Sequence, residues 1–219
     1  MPSLLQRQAA IETDVGRLDG TLVLPESPRG IVLFAHGTGS GRLSPRNNFV
    51  AAVLHERSIA TLLFDLLTPA EDTEYRTRFD IGLLTSRLLL AAGWMRAQPE
   101  SAGLALGYFG ASTGAAAALR AAATPEHPPK AVVCRGGRPD LAGPEVLARV
   151  GAATLLLVGG RDTAVLALNR EALSRLSCEK QLRVIPGAGH LFEEPGTLEQ
   201  VAQFAADWFE KHFTRPASS

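Results

Sequence analysis

The chain has 219 residues, 46% of them hydrophobic and 20% charged, with 22 basic side chains balancing 22 acidic ones. This is an ordinary globular mix, long enough for one sizeable core, and with no basic excess or stripe it offers nucleic acid no handle. Two cysteines, Cys134 and Cys178, exclude a disulfide framework, and no Cys/His cluster has zinc spacing; no apolar run is long enough to span a membrane, and residues 1–12 lack a signal-peptide core. The expectation is a soluble, cytoplasmic, single-domain protein over 1–213 with a flexible polar tail at 214–219.

In chain order, Leu4–Thr13 and Leu18–Leu24 flank a Val15-Gly16-Arg17 break and suit an antiparallel pair. Gly30–Ala35 is a continuous apolar run, as a strand buried on both faces should be. Ser44 and Pro45 supply an N-cap and a first-turn proline for a helix to about Arg57. Ile59–Phe64 is the next buried strand and Asp80–Ala97 a long helix. Strands are then expected at Leu104–Phe109, Ala131–Cys134, Thr154–Val158 and Leu182–Ile185. Helices are expected at Thr113–Ala123, Pro144–Val150, Ala164–Leu176 and Leu198–Phe213. This alternation predicts an α/β fold: a mostly parallel sheet with helices on both faces.

In open parallel sheets, ligands bind at the carboxyl ends of the strands. Four such ends carry His36-Gly37-Thr38-Gly39, Gly110-Ala111-Ser112-Thr113-Gly114, Gly159-Gly160-Arg161-Asp162 and Gly187-Ala188-Gly189-His190. The second matches G-x-S-x-G between a strand and a helix, a turn that holds its serine on a sharp, exposed corner. Ser112 is therefore the candidate nucleophile and His190, in a Gly-flanked loop, the candidate base. Asp162 is the candidate orienting acid, against the rival Asp140 and against a plain helix-capping or Arg161-pairing role. Backbone N–H groups of Thr38 and Thr113 are the candidate oxyanion donors. His36 is expected to brace its loop; with Gly37, Arg135 and Phe192 it is also a candidate for the substrate pocket, though core packing suits Phe192 equally.

The other features ask for less. Arg42, Arg46, Arg135 and Arg138 fall in strand-end loops, where pairing with Asp140, Glu71 or Asp72 is favoured over binding an anionic substrate. Cys134 reads as an inert buried thiol and Cys178 as a turn residue. The loop 37–41 does not fit a nucleotide-binding G-x-G-x-x-G. Between the strand ending near Cys134 and the one starting near Thr154 there is room for one loop and one short helix, hence no cap domain. The segment Leu67–Phe79, with Glu71, Asp72, Glu74, Arg76 and Arg78, is too charged for a hydrophobic lid.

Several stretches together carry a family resemblance: HGTGSGRLSPRN (36–47), LLFDLLTP (62–69), GASTG (110–114), RGGRPDLAG (135–143), LVGGRDTAVLALNREAL (157–173) and GAGHLFEEPG (187–196). The chain resembles dienelactone-hydrolase-like members of the α/β-hydrolase superfamily, especially small bacterial hydrolases, some of which are fused to a phosphoribosyltransferase domain. The resemblance implies a Ser112–Asp162–His190 triad that needs no metal or organic cofactor. Dienelactone hydrolases proper carry cysteine at the elbow; serine here favours an ordinary carboxylic ester. The expected partner is thus a small-molecule ester, with no nucleic acid and no membrane, acting on a monomer or homodimer. Thioesterase, lactonase or acyl-transferase chemistry would use the same triad, and a catalytically idle scaffold that binds a ligand is the alternative from another class.

Overall fold

The computed structural model describes residues 4–213; the expected tail at 214–219 lies outside the described residues. Among these residues eight strands form one sheet: β1 (Leu4–Thr13), β2 (Gly16–Pro25), β3 (Gly30–Ala35), β4 (Ile59–Phe64), β5 (Ala105–Ala111), β6 (Ala131–Arg135), β7 (Ala153–Gly159) and β8 (Lys180–Ile185). Their spatial order is β1-β2-β4-β3-β5-β6-β7-β8. β1, β2 and β4 pair antiparallel, and β4 through β8 run parallel by way of β3. β3 and β4 are buried at every residue, which is why their sequences show no polar alternation.

Among the described residues seven α-helices cover the sheet: α1 (Pro45–Glu56), α2 (Pro69–Thr73), α3 (Ile81–Ala97), α4 (Thr113–Ala122), α5 (Pro144–Arg149), α6 (Thr163–Arg175) and α7 (Thr197–Phe213). The caps act as their sequences suggest. Ser44 accepts the Asn47 N–H to start α1, and Asp80 accepts the Leu83 N–H to start α3. α2 was not anticipated, yet Thr68-Pro69-Ala70-Glu71 carries its signal. Thr68 and Glu71 form a reciprocal capping box, and Pro69 fills the first position.

The strands' alternate side chains feed two cores. On one face Leu106, Tyr108, Val132, Cys134 and Leu156 pack under α3 and α4. On the other Phe34, Phe109, Val133, Leu155 and Leu157 pack under α1 and α7, with Phe209 fully buried. Truncating a buried phenylalanine such as Phe209 to alanine typically costs about 3–5 kcal/mol. α5 and a short 3-10 turn at Pro139–Ala142 are all that separates β6 from β7, so there is no cap domain. Among the described residues no helix is long and apolar enough to cross a membrane.

Candidate active site

β5 ends at Ala111, and Ser112 turns the chain into α4 with φ 51° and ψ −120°. A non-glycine residue with positive φ is strained, and the turn is possible only because its neighbours are small. A Cβ on Gly110 would lie 2.5 Å from the Ala115 Cα, and one on Gly114 would lie 2.1 Å from the Ala35 carbonyl oxygen. The glycines of G-x-S-x-G are therefore a packing requirement of this corner. Gly37 meets the serine directly: its Cβ would sit 2.9 Å from Ser112 Cβ. The helix that follows aims its unpaired amide ends at the same spot.

β7 and β8 deliver the acid and the base. His190 Nδ1 and Asp162 Oδ2 are 2.6 Å apart; the Asp162 side chain is only 14% exposed and that of His190 41%. Asp162 stands at the N-cap position of α6 but makes no capping bond, so its carboxylate serves the imidazole. Arg161 pairs with Glu194 instead of Asp162. The rival Asp140 is held by a two-pronged hydrogen bond from Arg138, at 2.9 and 2.8 Å.

Ser112 and the Asp162–His190 pair are joined through β6. Ala111, Arg135 and Leu157 lie in register across β5, β6 and β7. The Ser112 N–H donates to the Arg135 carbonyl (3.2 Å), and the next residue, Gly136, lies against the His190 backbone and ring. Among the described residues Ser112 Oγ forms no hydrogen bond, so Ser112 is brought to the site without being bonded to His190. A loose apo contact between nucleophile and base is common, since these bonds tighten with substrate.

The oxyanion donors are arranged differently from the expectation. Thr113 N–H lies at the first position of α4, where no intrahelical partner exists. Thr38 N–H points at the same residue but is already donated to Thr113 Oγ1 (3.1 Å), and the two threonine hydroxyls are 3.0 Å apart. The Thr38 amide is thus occupied by a side chain until that hydroxyl turns away. Thr113 Oγ1 was overlooked because G-x-S-x-G leaves this position unspecified.

Two pocket candidates are held in bracing and packing roles. His36 is 9% exposed; it accepts the Leu66 N–H at Nε2 (2.9 Å), and its Nδ1 faces the Gly37 carbonyl at 3.0 Å. Burial lowers its pKa, and with both nitrogens committed to backbone groups it braces the loop. Phe192 is 2% exposed and packs in the α1/α7 core, with φ 54°. It supports the His190 loop from below.

The arginines also divide. Arg138 takes Asp140 as expected, but Arg42 takes Asp65, while Glu71 and Asp72 go to Arg87 and Arg78. Arg135 takes no carboxylate; burial, then the nearby Arg46, pull its guanidinium down to about 10. Burial pushes the Cys134 thiol up to about 12, which keeps it inert. Among the described residues no three His, Cys, Asp or Glu side chains are grouped to hold a metal ion. A concavity of about 790 Å³ lined by Arg29, Leu104, Lys130 and Phe213 opens at the amino ends of the strands. It is remote from Ser112, and parallel-sheet chemistry belongs at the opposite ends.

No family model matches the chain. A Mycobacterium tuberculosis protein provisionally named a phosphoribosyl transferase is 55% identical over 218 residues, all of this chain and 49% of that protein. The chain therefore spans about half the length of the curated relatives it matches. Est1E from Butyrivibrio proteoclasticus shares the fold at 15% identity, with a TM-score of 0.80 over 95% of this chain and 99% of that one. The crystal structure of a dienelactone hydrolase from Anabaena variabilis superposes with a TM-score of 0.91 at 52% identity, covering 95% of this chain and 98% of that one. With that degree of identity along nearly the whole of both chains, this chain belongs to the dienelactone-hydrolase-like family of α/β-hydrolases.

Proposed function

We propose that this hydrolase-family chain is a serine esterase that cleaves small carboxylic esters through Ser112, His190 and Asp162. The observation that carries the reading is the 2.6 Å Asp162–His190 contact, made at the strand ends that flank a serine held at φ 51°. Asp162 fixes the imidazole with its proton on Nδ1, which leaves Nε2 as the base. His190 Nε2 takes the Ser112 hydroxyl proton as Oγ attacks the ester carbonyl. The oxyanion is met by Thr113 N–H at the α4 terminus and by Thr38 N–H once Thr113 Oγ1 swings aside. His190 then protonates the departing alcohol, and water activated by the same imidazole releases the acid from the acyl-serine. Thioesters and lactones present the same carbonyl to the same groups.

The Mycobacterium relatives carry phosphoribosyl transferase only in a provisional name, and this chain covers 49% of their length, so that activity is not carried over. The test is a panel of p-nitrophenyl esters, thioesters and lactones with a fluorophosphonate as titrant. Ser112→Ala is expected to remove about 10³-fold or more of the turnover while the fold stays intact. The titrant is expected to add once, at Ser112. A fully active alanine variant, or labelling at another residue, overturns the assignment.

A further inference from the structure

The amino ends of the strands, opposite the catalytic face, hold the concavity of about 790 Å³, within the usual size of a small-molecule site. Its wall is made by Arg29 ahead of β3, Arg96 near the end of α3, Leu104 ahead of β5, Lys130 ahead of β6, and Phe213 at the end of α7. Two glycines shape its floor. A Cβ on Gly30 would lie 2.4 Å from the Phe213 Cδ2, and one on Gly107 would lie 2.8 Å from its Cζ. β3 and β5 are thus bare where the Phe213 ring sits, and the ring joins Leu104 and Leu106 as an apolar lining.

The charged lining is of one sign. Among the described residues Arg29, Arg96 and Lys130 line the concavity and no Asp or Glu does, in a chain whose 22 basic side chains are matched by 22 acidic ones. Glu26 and Glu100 line a separate hollow that shares only Pro28 with this one, and Glu100 pairs with Arg7. Arg96 is fastened in place: its Nη1 donates to the Ala102 carbonyl at 2.8 Å and to the Leu104 carbonyl at 3.0 Å. Its Nε and Nη2 have no acceptor among the described residues, and neither has the Lys130 ammonium. Arg29 shares the Glu210 carboxylate with Arg57. A guanidinium already fixed at one nitrogen loses little side-chain freedom when a ligand arrives, and an anion among cations relieves their repulsion.

We propose that this concavity binds an organic anion, a carboxylate or phosphate joined to an apolar body, at a second site separate from Ser112. Arg96 and Lys130 hold the charged group, Arg29 closes the rim, and Leu104, Leu106 and Phe213 take the apolar part. The site stands whether or not Ser112 cleaves esters, since binding at this end of the sheet needs no chemistry. Carboxylates and phosphates present the same kind of oxygen to these donors, so the experiment separates the two.

Binding to the full chain is measured by calorimetry for hexanoate, hexyl phosphate, inorganic phosphate and hexanol, with the parent, Lys130→Gln and Arg96→Gln. Hexanoate or hexyl phosphate is expected to bind saturably and far more tightly than inorganic phosphate or hexanol, and the tighter of the two names the anion. Each substitution is expected to weaken that binding about tenfold, the size of a lost charge-assisted hydrogen bond. Absence of saturable binding by both organic anions overturns the site, and so does binding that survives both substitutions. Inorganic phosphate bound as tightly as hexyl phosphate overturns the role of the apolar lining, and hexanol bound as tightly as hexanoate overturns that of the cations. Should Arg96→Gln not fold, because the Ala102 and Leu104 carbonyls lose their donor, Lys130→Glu decides. Lys130 is exposed and bonded to no described residue, so reversing its charge spares the fold and is expected to remove the binding.

Discussion

The two flanks of the site are held by different kinds of contact. On the β7/β8 flank the backbone holds the two loops to each other, Gly160 N–H donating to the Ile185 carbonyl and Arg161 N–H to the Ala188 carbonyl, both at 2.9 Å, while the Glu194 carboxylate accepts the Gly189 N–H within the His190 loop. The two loops lie so close that a Cβ on Gly159 would be 2.4 Å from the Gly189 carbonyl oxygen. On the β3/β4 flank side chains do it. His36 ties the oxyanion loop to Leu66, Thr38 Oγ1 donates to the Arg78 carbonyl (3.2 Å), and Asp65 accepts the Arg42 N–H (2.8 Å). Backbone bonds are indifferent to most substitutions, so the relay flank should tolerate exchange of non-glycine neighbours. The oxyanion flank depends on the identity of each bracing side chain.

The sharpest break is within the relay itself. Asp162→Asn keeps the shape but turns the imidazole toward the wrong tautomer, and turnover is expected to fall about 10³- to 10⁴-fold. Asp140→Asn loosens only the Arg138 pair and is expected to cost a few-fold at most. Ester turnover of the two variants, compared per folded molecule, checks this; the reverse order would move the acid to the β6 loop.

The oxyanion flank offers the next effect. His36→Leu removes the acceptor of a buried Leu66 N–H, a loss of about 1–3 kcal/mol. At about 2–4 °C per kcal/mol for a chain of this length, Tm is expected to drop by roughly 2–12 °C, with turnover reduced as the Thr38 loop loosens. Glu194→Gln on the other flank keeps an acceptor for Gly189 N–H and loses only the exposed Arg161 pair, so Tm is expected to move much less. Equal shifts in the two variants would mean that the flanks are held alike.

How much of this was legible in the sequence follows the same division. The buried strands, the elbow and the Asp162 and His190 loops are written in local patterns: unbroken apolar runs, G-x-S-x-G, and Gly-flanked acid and base. Their boundaries shift by one or two residues, as when β5 extends through Gly110 to Ala111. The side-chain braces depend on partners distant in sequence, and there the reading was weaker. Arg42 found Asp65, which was not among the acids expected for it, and the Thr38 amide found a hydroxyl 75 residues away. Phe192 could not be divided between pocket and core until the fold put α7 beneath it. The isolation of Arg135 has no sequence signature at all, because acids are plentiful along the chain and only the folded arrangement keeps them away.

A smaller effect concerns the open top of the site. With only α5 and a 3-10 turn between β6 and β7, little apolar wall faces the acyl group. Each buried methylene is worth roughly 0.8 kcal/mol only where such a wall exists. Catalytic efficiency on p-nitrophenyl esters is expected to peak at about two to six acyl carbons, given the usual gain per methylene, and to show no jump at micelle formation. The exposed Tyr75–Phe79 pair, with ring centroids 5.0 Å apart, is the feature to mutate if longer chains do better.

The mildest expected effect is in the pH dependence of stability, and again the β3/β4 side carries it. His55, at the end of α1, bonds Thr61 Oγ1 of β4 at 2.7 Å, and burial lowers its pKa to about 4 from the ordinary 6.5. Burial lowers His36 as well, and, away from that side, His212 at the end of α7 beside Glu179. Between about pH 6.5 and 4 the unfolded chain therefore binds more protons than the native one, and stability rises with pH across that window. Read downward, the stabilisation is whole above 6.5 and is lost as pH falls toward 4. Glu71 adds a second, lower step: against its burial, hydrogen bonds from Thr68 and Arg87 hold its carboxyl below the ordinary 4.5, so its contribution is lost only as pH falls beneath that value. The urea midpoint is thus expected to decline between pH 7 and 4.5 before any carboxylate step begins. His55→Gln, which keeps a polar partner for Thr61 but does not titrate, is expected to flatten that decline. A midpoint that stays constant down to pH 4.5 in the parent would show that these histidines take up protons in the native state as readily as in the unfolded one, and that burial on this flank does not set their charge.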